Sequence, residues 1–143
     1  MFTSSTPGFP YFIKSPIEKI SLICYIKCMK WTIDFYKTES GQCPVKKYLQ
    51  GLNPKNRTTI LEAMEYLETF GIELKEPYVK YLDNKIFELR AKDSDGIYRV
   101  LYFTASGQRF IMLHGFTKKT KKTPKKEKEI ALKRKKEFLN ERL

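Results

Sequence analysis

Histidine is almost missing from this chain: His114 is the only one in 143 residues. Without a second imidazole, and with Cys24 and Cys28 spaced C-x3-C but unmatched by another Cys/His pair, no structural zinc centre is expected. The three cysteines, Cys24, Cys28 and Cys43, are odd in number and lack the spacing of a disulfide framework, which fits a reducing cytoplasm. Carboxylates are scattered rather than clustered, which disfavours chemistry that depends on bound Mg²⁺. A Ser/His/Asp or Cys/His arrangement has no local support. No apolar run approaches the roughly 20 residues needed to cross a bilayer. The expectation is a soluble cytoplasmic protein without metal, small-molecule cofactor or membrane partner.

What is present describes a folded, strongly basic protein. Hydrophobic residues make up 41% and aromatics 14%, enough for a real core despite 31% charged residues. The formal net charge is +12, and residues 118–143 hold twelve Lys/Arg against four Asp/Glu. Two thirds of the excess therefore sits on the last 26 residues, which points to a polyanionic partner at that end. A solvated Lys-rich helix would look the same. Residues 1–28 differ in character, with Pro7, Gly8, Pro10 and Pro16 breaking the stretch. They read as an extension or as sequence upstream of a natural start at Met29, leaving residues 29–143 as the domain. A terminal strand or helix capping that domain is the competing reading.

From Trp31 the pattern alternates, with Trp31, Ile33 and Phe35 on one face of a half-buried strand. Pro44 suits the first turn of a helix carrying Val45, Tyr48, Leu49 and Leu52 on one side. Asn53-Pro54 reads as an N-cap and first helical residue, and Gly71 as the stop, of a helix presenting Ile60, Leu61, Met64 and Leu67. These two helices are expected to pair antiparallel on one sheet face. After a linker containing Pro77, three strands are predicted, Lys85–Ala91, Ile97–Thr104 and Arg109–Gly115, joined by short turns as an antiparallel meander. Pro124 opens a basic C-terminal helix whose thin apolar stripe predicts loose docking. The expected architecture is β-α-α-β-β-β-α, an α+β domain with its helices on one face.

Arginine within a strand costs free energy unless an anion meets it. Alternation puts Ile86, Glu88 and Arg90 on one face, with Glu88 and Arg90 directed outward, and sets Arg99 among Ile97, Leu101 and Phe103. It also places His114 with Phe110 and Met112. Two readings stand. Glu88, Arg90 and Arg99 form a partly buried ion pair, or they line an electropositive, aromatic-rimmed face that holds a phosphodiester. Metal-free RNA cleavage needs a base, a cation at the phosphorane and an acid for the leaving oxygen. Arg90 and Arg99 suit the cation, Glu88 the base, and Lys118 or His114 the acid. A lone histidine beside Phe110 and Met112 is more often a satisfied core residue. Lys85, Tyr98, His114, Lys119, Lys121 and Lys122 complete a candidate RNA-binding set.

Taken in order, Glu88-Leu89-Arg90, Tyr98-Arg99-Val100-Leu101-Tyr102 and His114-Gly115-Phe116-Thr117-Lys118-Lys119-Thr120, followed by Pro124 and a basic helix, resemble the RelE/ParE toxin superfamily. The HigB-type, phage-derived branch is the nearest in pattern, from about Met29 onward. The resemblance implies the toxin of a type II toxin–antitoxin pair, a ribosome-dependent mRNA endoribonuclease, with a helix-turn-helix (HigA-like) antitoxin as partner. It implies phosphate-binding roles for Arg90 and Arg99 and matches Lys118 to the basic residue after the last strand. The sequence departs from better-studied members at Ile86 and Glu88, where those carry lysines. Gyrase-directed ParE toxins share the fold without nuclease activity, so a non-catalytic gyrase inhibitor or basic nucleic-acid-binding accessory protein is the alternative.

Overall fold

The computed structural model describes residues 31–118 and 122–141. The expectations about residues 1–28 and a start at Met29 lie outside that range, as do Lys119 and Lys121. Strand β1 is Thr32–Phe35, helix α1 Pro44–Gly51 and helix α2 Pro54–Phe70. Both helices begin with proline, whose missing N–H costs nothing in a first turn. Asn53 caps α2 by accepting the Asn56 amide at 2.9 Å. Gly71 ends α2 at φ +59°, and a Cβ there would lie 2.2 Å from Trp31 Nε1, so glycine is required for backbone and packing reasons together. Arg57, one turn into α2, donates to the carbonyls of Leu49, Gln50 and Leu52 and so satisfies the end of α1.

Strands β2 (Val79–Asp83), β3 (Ile86–Asp93), β4 (Gly96–Ala105) and β5 (Arg109–Lys118) form an antiparallel meander. β1 adds to β5 in parallel, giving one five-stranded sheet in the order β1-β5-β4-β3-β2. The meander was expected; β2 was not, and was read as linker. Its hairpin to β3 turns through Asn84 and Lys85, both at positive φ (51° and 60°). Lysine in that position gives no turn signal in the sequence, so the strand ahead of it went unseen.

The helices do not share one face. α1 and α2 cover one side, where Val45, Ile60, Met64 and Leu67 pack on Leu89, Val100, Phe110 and Met112. The C-terminal helix α3 (Lys125–Glu141) covers the other. There Ala131, at 0% exposure, meets a layer of Ile86, Leu101, Phe103, Ile111 and Leu113, with Leu132 and Phe138 beside it. A small, fully buried residue among these contacts suits a helix with few apolar side chains lying against the sheet. The expected loose docking and one-sided arrangement are therefore replaced by helices on both faces.

A β-bulge in β5 supplies a second correction. Leu101 pairs with His114 but Tyr102 pairs with Met112, leaving Leu113 as the extra residue. Beyond that point the side chains exchange faces. His114 consequently joins Leu101 and Phe116 on the α3 side, not Phe110 and Met112 on the α1/α2 side.

Candidate active site

Pairing of β3 with β4 sets Arg90 directly opposite Arg99, and Ala91 opposite Tyr98. Like charges facing each other across a ladder repel. Glu88 answers both: its Oε1 lies 2.7 Å from Arg90 Nε and its Oε2 lies 3.7 Å from Arg99 Nη1. Thr123, just before α3, donates its hydroxyl to the same Oε2. Glu88 and Arg99 are fully buried, whereas the Arg90 side chain keeps 24% of its surface exposed. Burial pushes the Arg99 guanidinium below its ordinary pKa, Glu88 draws it back up, and Arg90 opposes that gain. The expectation that Glu88 and Arg90 look outward onto an open polar surface is thus corrected. Of the two, only Arg90 reaches the surface, because α3 and the segment entering it cover this face.

His114 is held by α3 on both sides. Its Nε2 contacts Glu127 Oε1 at 2.5 Å, and Arg134 Nη1 lies 3.1 Å from its Nδ1. Since guanidinium only donates, Nδ1 is the acceptor and the ring proton sits on Nε2, directed at the carboxylate. Burial pushes the imidazole pKa down, Glu127 pulls it up and Arg134 lowers it again; the net direction is down. Arg134 also donates to the Leu113 carbonyl at 2.9 Å, so the bulge and α3 are tied together.

The remaining predicted residues separate. Lys118 pairs with Ile97 and by alternation belongs to the Arg99 face, where it is exposed; Lys122 is exposed as well. Lys85 sits in the β2–β3 turn near Lys135, whose ammonium is lowered by burial and then by Lys85 itself. Tyr98 lies on the opposite face of the sheet. Its hydroxyl donates to Asp93 Oδ1 at 2.8 Å, within a polar latch where Asn56 donates to Asp93 and Asp95, and Thr59 to Asp93. Burial would raise the Asp93 carboxyl, but these hydrogen bonds outweigh it and hold the pKa at about 2. Tyr98 is pushed up to about 12 by burial and by that carboxylate. Its role in the fold is to pin the β3–β4 turn to the start of α2.

Thr123, Glu127 and Arg134 escaped sequence reasoning because nothing in their spacing connects them to strand residues 35, 13 and 20 positions away. Gly115 had a signal without a reason. A Cβ there would lie 2.4 Å from the Tyr48 ring, whose hydroxyl bonds Thr117 at 2.7 Å. The His-Gly-Phe triplet therefore divides its duties: His114 to α3, Gly115 to Tyr48 on α1, Phe116 to the α3-side core.

The family model described as "Phage derived protein Gp49-like (DUF891)" matches residues 47–136. That span takes in Glu88, Arg90, Arg99, Lys118, Thr123 and both residues that grip His114. No curated protein matches the chain.

Proposed function

The chain belongs to the phage-derived Gp49-like family, a family related to RelE toxin–antitoxin proteins, and on that footing we propose that it is the toxin of a type II pair, of HigB type. Its reaction under this reading is metal-independent cleavage of mRNA on cytoplasmic ribosomes. The observation that carries the reading is the Arg90–Arg99 juxtaposition around Glu88, with Arg90 partly exposed and Lys118, on the same sheet face, exposed. The 2′ oxygen attacks phosphorus and the bond to the 5′ oxygen breaks, leaving a 2′,3′-cyclic phosphate and a 5′ hydroxyl. Arg90 is the arginine placed to touch a phosphoryl oxygen, in the forked geometry guanidinium favours. Arg99 adds positive charge from beneath, where low polarizability preserves its field. In this reading Lys118 is the acid that protonates the leaving oxygen. Glu88, engaged at both oxygens, orients the guanidiniums, and it takes the proton of the 2′ hydroxyl once Thr123 or Arg90 releases one of those oxygens.

The exposed lysines of α3, among them Lys125, Lys126, Lys133 and Lys136, suit ribosomal RNA phosphates with salt-dependent affinity. The ribosome orders the message for in-line attack, so free RNA is a poor substrate. A helix-turn-helix antitoxin encoded beside the chain is the expected partner. The test is induction of the wild type and Arg90→Ala in cells, followed by mapping of mRNA 5′ ends. New codon-phased ends that disappear in the variant support the nuclease. Growth arrest without such ends removes it.

A second reading rests on a different observation, the complete burial of Glu88 and Arg99. There the cluster is a structural ion network in a non-catalytic protein of the same fold, a gyrase inhibitor or a basic accessory protein. Gyrase inhibition predicts an SOS response in place of mRNA ends; an accessory role predicts neither.

A further inference from the structure

A groove of about 510 Å³ runs between α2 and β1 on the face away from α3. Its floor is apolar, built by Ile33 and Phe35 from β1 and by Leu61 and Met64 from α2, and Leu61 remains 41% exposed. Its rim is acidic. Glu62, Glu65 and Glu68 follow one another at helical spacing along α2, and none forms an ion pair among the described residues. On a chain of net charge +12 this is an inversion of the general surface field. Among the described residues β1 is also an edge strand of the sheet.

We propose that this groove is the docking site for a basic amphipathic helix of a partner protein, with its apolar side on Ile33, Phe35 and Leu61 and its Lys/Arg side on the three glutamates. The lining of α2 extends from Thr58 to Glu68, ten residues apart, or about 15 Å of helix. A partner segment of roughly ten residues with anchors three and four apart matches that length. A helix fits better than an added strand, because the floor consists of side chains on the face of β1 rather than of its open edge. A second copy of the chain is disfavoured by chemistry. The strongly basic helix among the described residues, α3, already spends Ala131, Leu132 and Phe138 on its own sheet. Identifying the partner as the antitoxin rests on the toxin reading; the groove and its occupant's chemistry do not.

The test uses the full chain and a defined probe, a 14-residue Leu/Lys amphipathic helix, with a Leu/Glu helix of the same pattern as control. Methyl NMR of Met64, Leu61 and Ile33 locates binding. The cationic helix is expected to shift these methyls selectively, against the overall repulsion of a cationic protein. Glu62→Lys/Glu65→Lys should weaken it at least tenfold while leaving the urea midpoint in place, since both side chains are exposed. Equal binding to the double variant, shifts confined to other surfaces, or a preference of the same methyls for the Leu/Glu helix would each overturn the proposal. So would a dimer of the free chain, by sedimentation, that the double variant abolishes. Growth arrest is scored separately with the same two proteins. A double variant that still arrests growth but is no longer rescued by the product of the adjacent gene identifies the antitoxin as occupant. A wild type that never arrests growth removes the toxin reading while the NMR result stands.

Discussion

Replacing Glu88 with Gln keeps the shape of the side chain and removes a negative charge between two facing guanidiniums. The cost follows from where the charges sit. Glu88 and Arg99 are both at 0% exposure, so Arg99 cannot be rehydrated without opening the layer under α3, and removal of one partner from such a pair costs about 3–5 kcal/mol. Arg90, at 24% exposure, can turn toward water, which moves the estimate to the lower half, about 3–4 kcal/mol. Domains of this size have roughly 5–15 kcal/mol in total, so a substantial share of stability is lost. Urea unfolding followed by fluorescence of the single tryptophan, Trp31, stacked 4.6 Å from Phe110 in the core, reports it directly. With a urea slope of about 1–3 kcal/mol per molar, the midpoint should fall by about 1–4 M at unchanged slope. Arg99→Met should recover part of the loss when combined with Glu88→Gln, with a coupling of at least about 1 kcal/mol. A loss of about 1 kcal/mol or less, the size of a surface pair, would show that the Glu88 carboxylate reaches water. The enclosed network, and every role derived from it, would then be wrong.

Gly115→Ala forces a methyl into the Tyr48 ring and should cost about 1–3 kcal/mol in the same unfolding assay; an unchanged midpoint would mean Tyr48 does not pack there. The Asp93 carboxyl is held at about 2, below its ordinary 3.8, so its contribution is complete above the unfolded value and is lost as pH falls through about 2. Asn56→Ala should raise that pKa, read by carboxyl NMR titration, and an unmoved titration would remove the latch. His114 is depressed below 6.5, so the folded state prefers the neutral ring and the unfolded chain takes up the proton first. Stability should therefore be full above that value, fall as pH drops from there to the lower folded pKa, and level off beneath it. His114→Gln should flatten this part of the profile in thermal melts. A profile equally steep in the variant would place the titrating group elsewhere.

Much of the fold was legible where local chemistry decides. Asn53-Pro54 and Gly71 bracket α2 because capping and left-handed backbone depend on neighbours a few residues away. The meander was legible because its turns are short and polar. β2 was hidden because its turn uses Lys85 at positive φ. The position of His114 was misread because one extra residue at Leu113 reverses the alternation, and a bulge leaves no mark in the pattern of hydrophobic residues. Of the candidate site, Arg90, Arg99 and Glu88 were found as a group, since arginine in a strand is conspicuous wherever it points. Their exposure was not, because the cover comes from Thr123 and α3, outside the meander.

The sequence by itself determined the α+β class, the helix limits, the concentration of positive charge at the C-terminal end and the grouping of strand arginines with a carboxylate, though not whether they pair. Periodicity, capping and charge are properties of neighbours along the chain. Only the tertiary structure decided which face α3 would cover, and hence that Glu88 and Arg99 are enclosed while Arg90 reaches water. It likewise decided that three glutamates of α2 would rim an apolar groove beside β1. Burial depends on what arrives from elsewhere in the chain, and for a strand with apolar residues on both faces the pattern allows cover on either side. Ala131 settles it here, by letting a lysine-rich helix come close enough to close the sheet.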